Sequence, residues 1–176
     1  MKLLAAVLLL FAAAEPAGIR APLMPPGERK PAPDFHLADA SGKAVTPSAY
    51  RGKIVLLDFW ATNCGGCKVE IPWFIEFQKS YGPAGLQAVG MSMDVQYDAL
   101  KGGAAEGWSH VKPWLKAHPV NYPIVMADDA AMNAYGITAL PVTFLIDRQG
   151  RIAAAYRGLV DKNDIERNIK ALLAER

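Results

Sequence analysis

The segment Ile54 to Cys67, "IVLLDFWATNCGGC", constrains the chain more than any other. It opens with seven residues, Ile54 to Trp60, of which only Asp58 is polar. A strand with one wet face alternates polar and apolar residues, whereas a strand covered on both faces does not. The run therefore predicts a central strand of an α/β sheet, with one carboxylate inside it. Cys64-Gly65-Gly66-Cys67 follows after three residues. Beyond it, Val69 to Tyr81 has helical spacing, with Ile71, Phe74, Ile75 and Gln78 to one side. Gly82-Pro83 and Gly85 stop that helix. The cysteine pair thus opens a helix at the end of a buried strand.

That placement suits redox chemistry. Free backbone N–H groups and the dipole at a helix start favour a thiolate. Cys64 becomes the attacking sulfur, and Cys67, one turn on, can resolve a mixed disulfide. The chain has only 2 Cys and 3 His. Two Cys make neither a disulfide framework nor a Cys₄ zinc site. His36, His110 and His118 lack finger-like spacing to the pair. An inert bridge is the other reading, but so short a loop yields little stability.

The rest of the chain alternates strands and helices. "FHLADASGKAV" reads as two short strands around Ser41-Gly42. Leu86 to Met93 is a second buried strand, and Tyr122 to Met126 a short one. Trp108 to His118 is a helix interrupted by Pro113, and Asp128 to Tyr135 a helix ended by Gly136. Val142 to Asp147 turns through Arg148-Gln149-Gly150 into Arg151 to Tyr156. Asp161 caps a last helix to Glu175. The glycines at 102, 103 and 107 read as a loop, with a mobile lid as the alternative. Trp108, Trp114 and Tyr122 are expected to pack over the sheet. The 176 residues suit one domain. A net charge of +2 argues against a nucleic-acid partner.

Two segments precede the domain. Lys2, the apolar run Leu3 to Phe11, and Ala12 to Ala14 before Glu15-Pro16 read as a signal peptide over residues 1–14. A buried helix or an uncleaved anchor is the alternative. Residues 15–33 contain six prolines and no periodic apolar face, so they read as an extended linker. The domain is expected over 34–176.

"VLLDFWATNCGGCKVEIPWF" resembles the active-site strand and helix of the thioredoxin superfamily. Asp58 stands six residues before Cys64, Trp60 four before, and Pro72 five after Cys67, which are thioredoxin spacings. "YGITALPVTFLIDRQGRI" resembles the second signature of that superfamily, with Pro141 at the cis-proline position. The N-terminal hairpin, the signal-like segment, an insertion around 94–121 and Glu70, three after Cys67, are most similar to the exported TlpA/ResA-like branch. The resemblance covers residues 31–176.

It implies a thioredoxin-like fold, a central mixed sheet flanked by helices. It implies an exported thiol–disulfide oxidoreductase, periplasmic or on the outer membrane face, that reduces protein disulfides, as in cytochrome c maturation. Cys64 would attack and Cys67 resolve, with Glu70 and Asp58 moving the proton of Cys67. Trp60, Asn63 and Leu140 with Pro141 would shape the substrate surface. No cofactor and no metal are expected. The partners would be disulfide-bearing proteins and a membrane thiol-transfer protein that supplies electrons, and the chain is expected to be a monomer. Two departures stand out: Asn63 replaces the usual Trp, and Asp58 stands where the branch commonly has a neutral residue. A peroxiredoxin-type thiol peroxidase would want T-x-x-C, but Ala61 is three before Cys64. A copper-delivery module would want C-x-x-x-C and a distal His.

Overall fold

The computed structural model describes residues 18–175. The signal-like segment 1–14 lies outside them. Strands β1 (Leu37–Ala38) and β2 (Ala44–Val45) pair antiparallel around the Ser41-Gly42 turn. Then follow β3 (Ile54–Trp60), α1 (Gly65–Tyr81), β4 (Leu86–Ser92), α2 (Asp94–Tyr97) and α3 (Gly103–Ala117). The chain continues with β5 (Ile124–Met126), α4 (Asp129–Tyr135), β6 (Val142–Ile146), β7 (Ile152–Arg157) and α5 (Lys162–Ala174). The main sheet has the order β5-β4-β3-β6-β7. β3 runs parallel to β4 and antiparallel to β6. It is a thioredoxin-like fold with β3 at its centre, and every residue of β3 is buried.

Strand alternation sorts β3 between two cores. Ile54, Leu56 and Trp60 join Ile71, Phe74 and Phe77 of α1 and Ile165, Ile169 and Leu172 of α5. Val55, Leu57 and Phe59 join Phe35, Val45, Ala131 and Tyr135 on the other face. Asp58 shares the parity of Leu56 and Trp60, so it points beneath α1. Caps fix the helices as the side chains allow: Asp161 accepts from the Asp164 N–H at 2.9 Å and Asp128 from that of Ala131 at 2.8 Å. Gly136, at φ 61°, ends α4 in the left-handed conformation.

Two regions differ from expectation. Helix α3 starts at Gly103, not Trp108, so Gly103 and Gly107 lie in a helix rather than a loop, and Gly102 is its N-cap. Gly107 is buried within it, and a Cβ there would stand 2.8 Å from both Met126 Sδ and Val95 Cγ2. Glycine lets the helix approach β5, and apolar periodicity does not register that contact. Helix α3 runs on through Pro113, which sits on its exposed face, where water takes the carbonyl that the missing N–H leaves without a partner.

Residues 18–33 are extended apart from a 3₁₀ turn at Pro26–Glu28, but they do not hang free. Ile19 bridges Val160, the Met24 N–H donates to Ala153 O at 2.8 Å, and Pro31 bridges Arg151. Ala21 is buried in the α1–α5 core. The Arg29 guanidinium is buried, donates twice to Glu175 at 2.6 Å and reaches Asp147 at 3.3 Å. The folded unit therefore begins well before residue 34. Single anchors such as Ala21 and Arg29 have no period to betray them.

Candidate active site

Cys64 is the N-cap of α1, and its Sγ accepts the Cys67 backbone N–H at 3.2 Å. The two sulfurs form a disulfide, with Cα atoms 5.3 Å apart. Cys64 keeps 3% of its surface in contact with solvent and Cys67 none. When the bond is reduced, the N–H donor and the helix start favour negative charge on Cys64 over Cys67.

The approach to Cys64 is anchored by residues that motif reading did not single out. The Thr62 N–H and hydroxyl both donate to Asp94, which is buried. Ser92 Oγ donates to the same carboxylate at 2.8 Å. Asn63 is exposed and donates to Asp98 Oδ2 at 3.0 Å. The available signal was an acid directly after a buried strand parallel to β3. The Thr62 hydroxyl is thus committed to Asp94.

Beneath Cys67 lie the two acids. Glu70 is fully buried, and its Oε1 accepts the Val160 N–H at 2.6 Å. Its Oε2 has no protein partner, and neither has either oxygen of the fully buried Asp58. Thr143 stands beside Asp58 in register on β6, and its hydroxyl is likewise unpartnered. Gly90 stands on the other side, on β4. A Cβ on Gly90 would lie 3.0 Å from Trp60 Nε1 and 3.3 Å from Tyr122 Cε2. Both Trp60 Nε1 and the Tyr122 hydroxyl are buried without protein partners. Orphaned buried polar atoms are rare in folded proteins, and here they gather on one sheet face below the dithiol.

This setting controls the protons. Burial pushes the Asp58 carboxyl well above the usual carboxylate range, and the neighbouring Glu70 pushes it further. Burial pushes Glu70 up to about 8, while the Val160 N–H pulls the other way. Tyr122 is raised by burial and then by both acids. Two carboxyls sharing one dry site cannot both ionise cheaply. The pair can hold a proton near neutral pH and accept one from a thiol.

The Leu140–Pro141 peptide is cis. Pro141 lies on the cysteine turn, its Cδ 3.2 Å from where a Gly66 Cβ would stand. Leu140 is half-buried and, with Met93, Tyr97, Met132 and Ile137, lines a groove beside that loop. Trp60 requires a correction. It was expected on the contact surface, but it is 1% exposed and packs on Trp114 with ring centroids 4.8 Å apart. Its parity in β3 turns it inward, behind the cysteines. Asn63, Leu140 and the half-exposed Tyr97 meet solvent instead.

The AhpC/TSA family profile matches residues 29–155. The chain is similar to thiol-disulfide oxidoreductase ResA of Geobacillus kaustophilus (strain HTA426), 33% identical over 142 residues, covering 80% of this chain and 75% of that protein. ResA of Bacillus subtilis (strain 168) is 31% identical over 139 residues, covering 78% and 72%. A solved thiol:disulfide interchange protein of the thioredoxin family from Chlorobium tepidum TLS superposes with a TM-score of 0.71 at 28% identity, covering 84% of this chain and 98% of that one.

Proposed function

The chain belongs to the AhpC/TSA family and is a thiol–disulfide oxidoreductase of the ResA type, and from that premise we propose that it is an exported reductant of protein disulfides, serving cytochrome c maturation. The observation that carries the chemistry is the Cys64–Cys67 disulfide at the start of α1, with two buried acids beneath it that leave three oxygens without protein partners.

The reduced dithiol supplies two electrons. The Cys64 thiolate attacks one sulfur of the substrate disulfide, whose S–S bond breaks as a mixed disulfide forms. The departing substrate sulfur takes up a proton. Cys67, buried, then gives its proton to the Glu70–Asp58 pair and attacks Cys64 Sγ. The Cys64–Cys67 bond closes, the mixed disulfide breaks, and the second substrate sulfur leaves and is protonated. The cis Leu140–Pro141 loop beside the sulfurs presents backbone to an extended substrate, and Asn63 and Leu140 border it.

Export is supported by the apolar run at residues 3–14. Among the described residues, no helix is long and apolar enough to cross a membrane. A membrane thiol-transfer protein is the proposed electron donor, and the enzyme works as a monomer on disulfide-bearing proteins. A thiol peroxidase finds less support, because the Thr62 hydroxyl is spent on Asp94. The direction of electron flow is tested by trapping cells with an alkylating reagent and resolving the oxidised from the reduced protein. A reductant is held mainly reduced, and its couple is more reducing than its substrates. A mainly oxidised pool would make it an oxidant and overturn the proposal.

A further inference from the structure

We propose that residues 18–21 are a positioning element of the active site, because they clamp the 158–161 loop whose backbone N–H groups fix both Glu70 and the carbonyl of Pro141. This rests on the reading of Glu70 given above.

The loop joins β7 to α5. Its Val160 N–H donates to Glu70 Oε1 at 2.6 Å. Its Gly158 N–H donates to Pro141 O at 2.9 Å. Around the parallel bridge between Ile19 and Val160, successive peptide groups point to opposite sides. The N–H groups of Gly158 and Val160 thus serve the site, whereas Leu159 O and the Asp161 N–H face away from it. The strap takes those outward groups. The Ile19 N–H donates to Leu159 O at 2.6 Å, and the Asp161 N–H donates to Ile19 O at 2.8 Å. The loop is therefore held by a single parallel bridge between Ile19 and Val160, with residues 18–21 on one side and the active site on the other.

Further contacts lock the strap there. The Ala21 N–H donates to Asp164 Oδ2 at 3.1 Å, and Asn168 Nδ2 donates to Ala21 O at 2.9 Å. Arg20 Nε donates to Asp161 Oδ2 at 2.9 Å. Gly18 packs so closely that a Cβ would fall 2.2 Å from Val160 O and 2.3 Å from Asp161 N. Those are backbone atoms, so one added methyl must part strap and loop.

Glu70 is faced by Asp58 from β3, Tyr122 from the segment before β5 and Cys67 on its own helix. The carboxylates at the start of α5 are engaged elsewhere, Asp161 with Arg20 and Asp164 with Arg167 and Tyr156. Among the described residues, the Val160 N–H is the one hydrogen-bond donor to Glu70. Withdrawing it leaves burial unopposed, and ionised Glu70 becomes scarcer at neutral pH.

The test uses the full chain with Gly18→Ala, and with Ile19→Pro, which deletes the donor to Leu159. The rate at which Cys67 resolves a mixed disulfide with a model peptide is measured against pH, together with KM for the peptide disulfide and Tm. Arg29→Met, farther along the same N-terminal segment and outside residues 18–21, controls for lost stability, and Glu70→Gln controls for the acid. Both strap variants are expected to move the acid limb of the profile upward by about one pH unit, ~10-fold slower below it, and to raise KM. Arg29→Met is expected to lower Tm and leave the profile in place. Strap variants whose profile and KM superimpose on wild type, while Glu70→Gln removes the limb, overturn the proposal alone. A limb that survives Glu70→Gln overturns the reading of Glu70, and the strap proposal falls with it. Should Ile19→Pro not fold, the profile of Gly18→Ala decides.

Discussion

At the scale of single residues, Asp58 and Glu70 hold the tension of the site. Both are fully buried, and together they leave three carboxylate oxygens without protein partners. If they serve Cys67, Glu70→Gln slows resolution by about 10²-fold, the loss of a general base. The same variant lowers the Cys67 pKa, because a nearby anion disfavours a thiolate. Asp58→Asn behaves alike, and the double variant is less than additive if both act on one proton. Stopped-flow resolution and thiol titration together check this; unchanged rates in all three would leave the acids structural. The acids also tie stability to pH. Their folded pKa values lie above the unfolded ones, so the folded chain binds more protons between about pH 4.5 and about pH 8. Stability is then highest below the unfolded values and falls as pH rises through that window. The Tm of the oxidised protein should drop from pH 5 to pH 8, and Glu70→Gln should flatten the drop. Equal slopes in variant and wild type would contradict it. Asp58 was legible in the sequence because a carboxylate interrupts an apolar run. Val160 was not, because its contribution is a backbone N–H that any residue carries. Tyr122 and Thr143 were not, because their nearness to Asp58 depends on sheet register and on the missing side chain at Gly90.

At the scale of elements, β3, β4, α1 and the β6–β7 hairpin were readable because continuous apolar runs and turn residues mark them. The start of α3 and the strap 18–33 were not, because glycine, alanine and proline carry weak periodicity while making close contacts. Gly90 tests how far an element can depend on a missing side chain. A Cβ there would stand 2.4 Å from Ile124 Cδ1 as well as against Trp60 and Tyr122. Gly90→Ala should cost about 1–3 kcal/mol by overpacking, read as a lower urea midpoint with an unchanged slope. It should also disturb the acids, since Gly90 flanks Asp58 in register. An unaltered midpoint would show that the β4–β5 edge yields more readily than its packing implies.

At the scale of the whole molecule, the strap closes the fold on itself. It runs from the loop beside Glu70, past the edge of β7, to a buried Arg29 that joins the last helix to the β6–β7 turn. Asp147 keeps Arg151 and two backbone donors without Arg29, so Arg29→Met should cost about 2 kcal/mol, less than the ~3–5 of a fully orphaned buried charge. Denaturant unfolding checks that figure. The central claim concerns the order in which the two sulfurs act, and differential trapping addresses it most directly. Reduced Cys67→Ser and Cys64→Ser proteins are exposed to a disulfide-bearing substrate and examined by mass spectrometry without reductant. The account predicts a stable mixed disulfide through Cys64 in Cys67→Ser and little adduct in Cys64→Ser, whose remaining sulfur is buried. Equal trapping by both variants, or none by either, would contradict it.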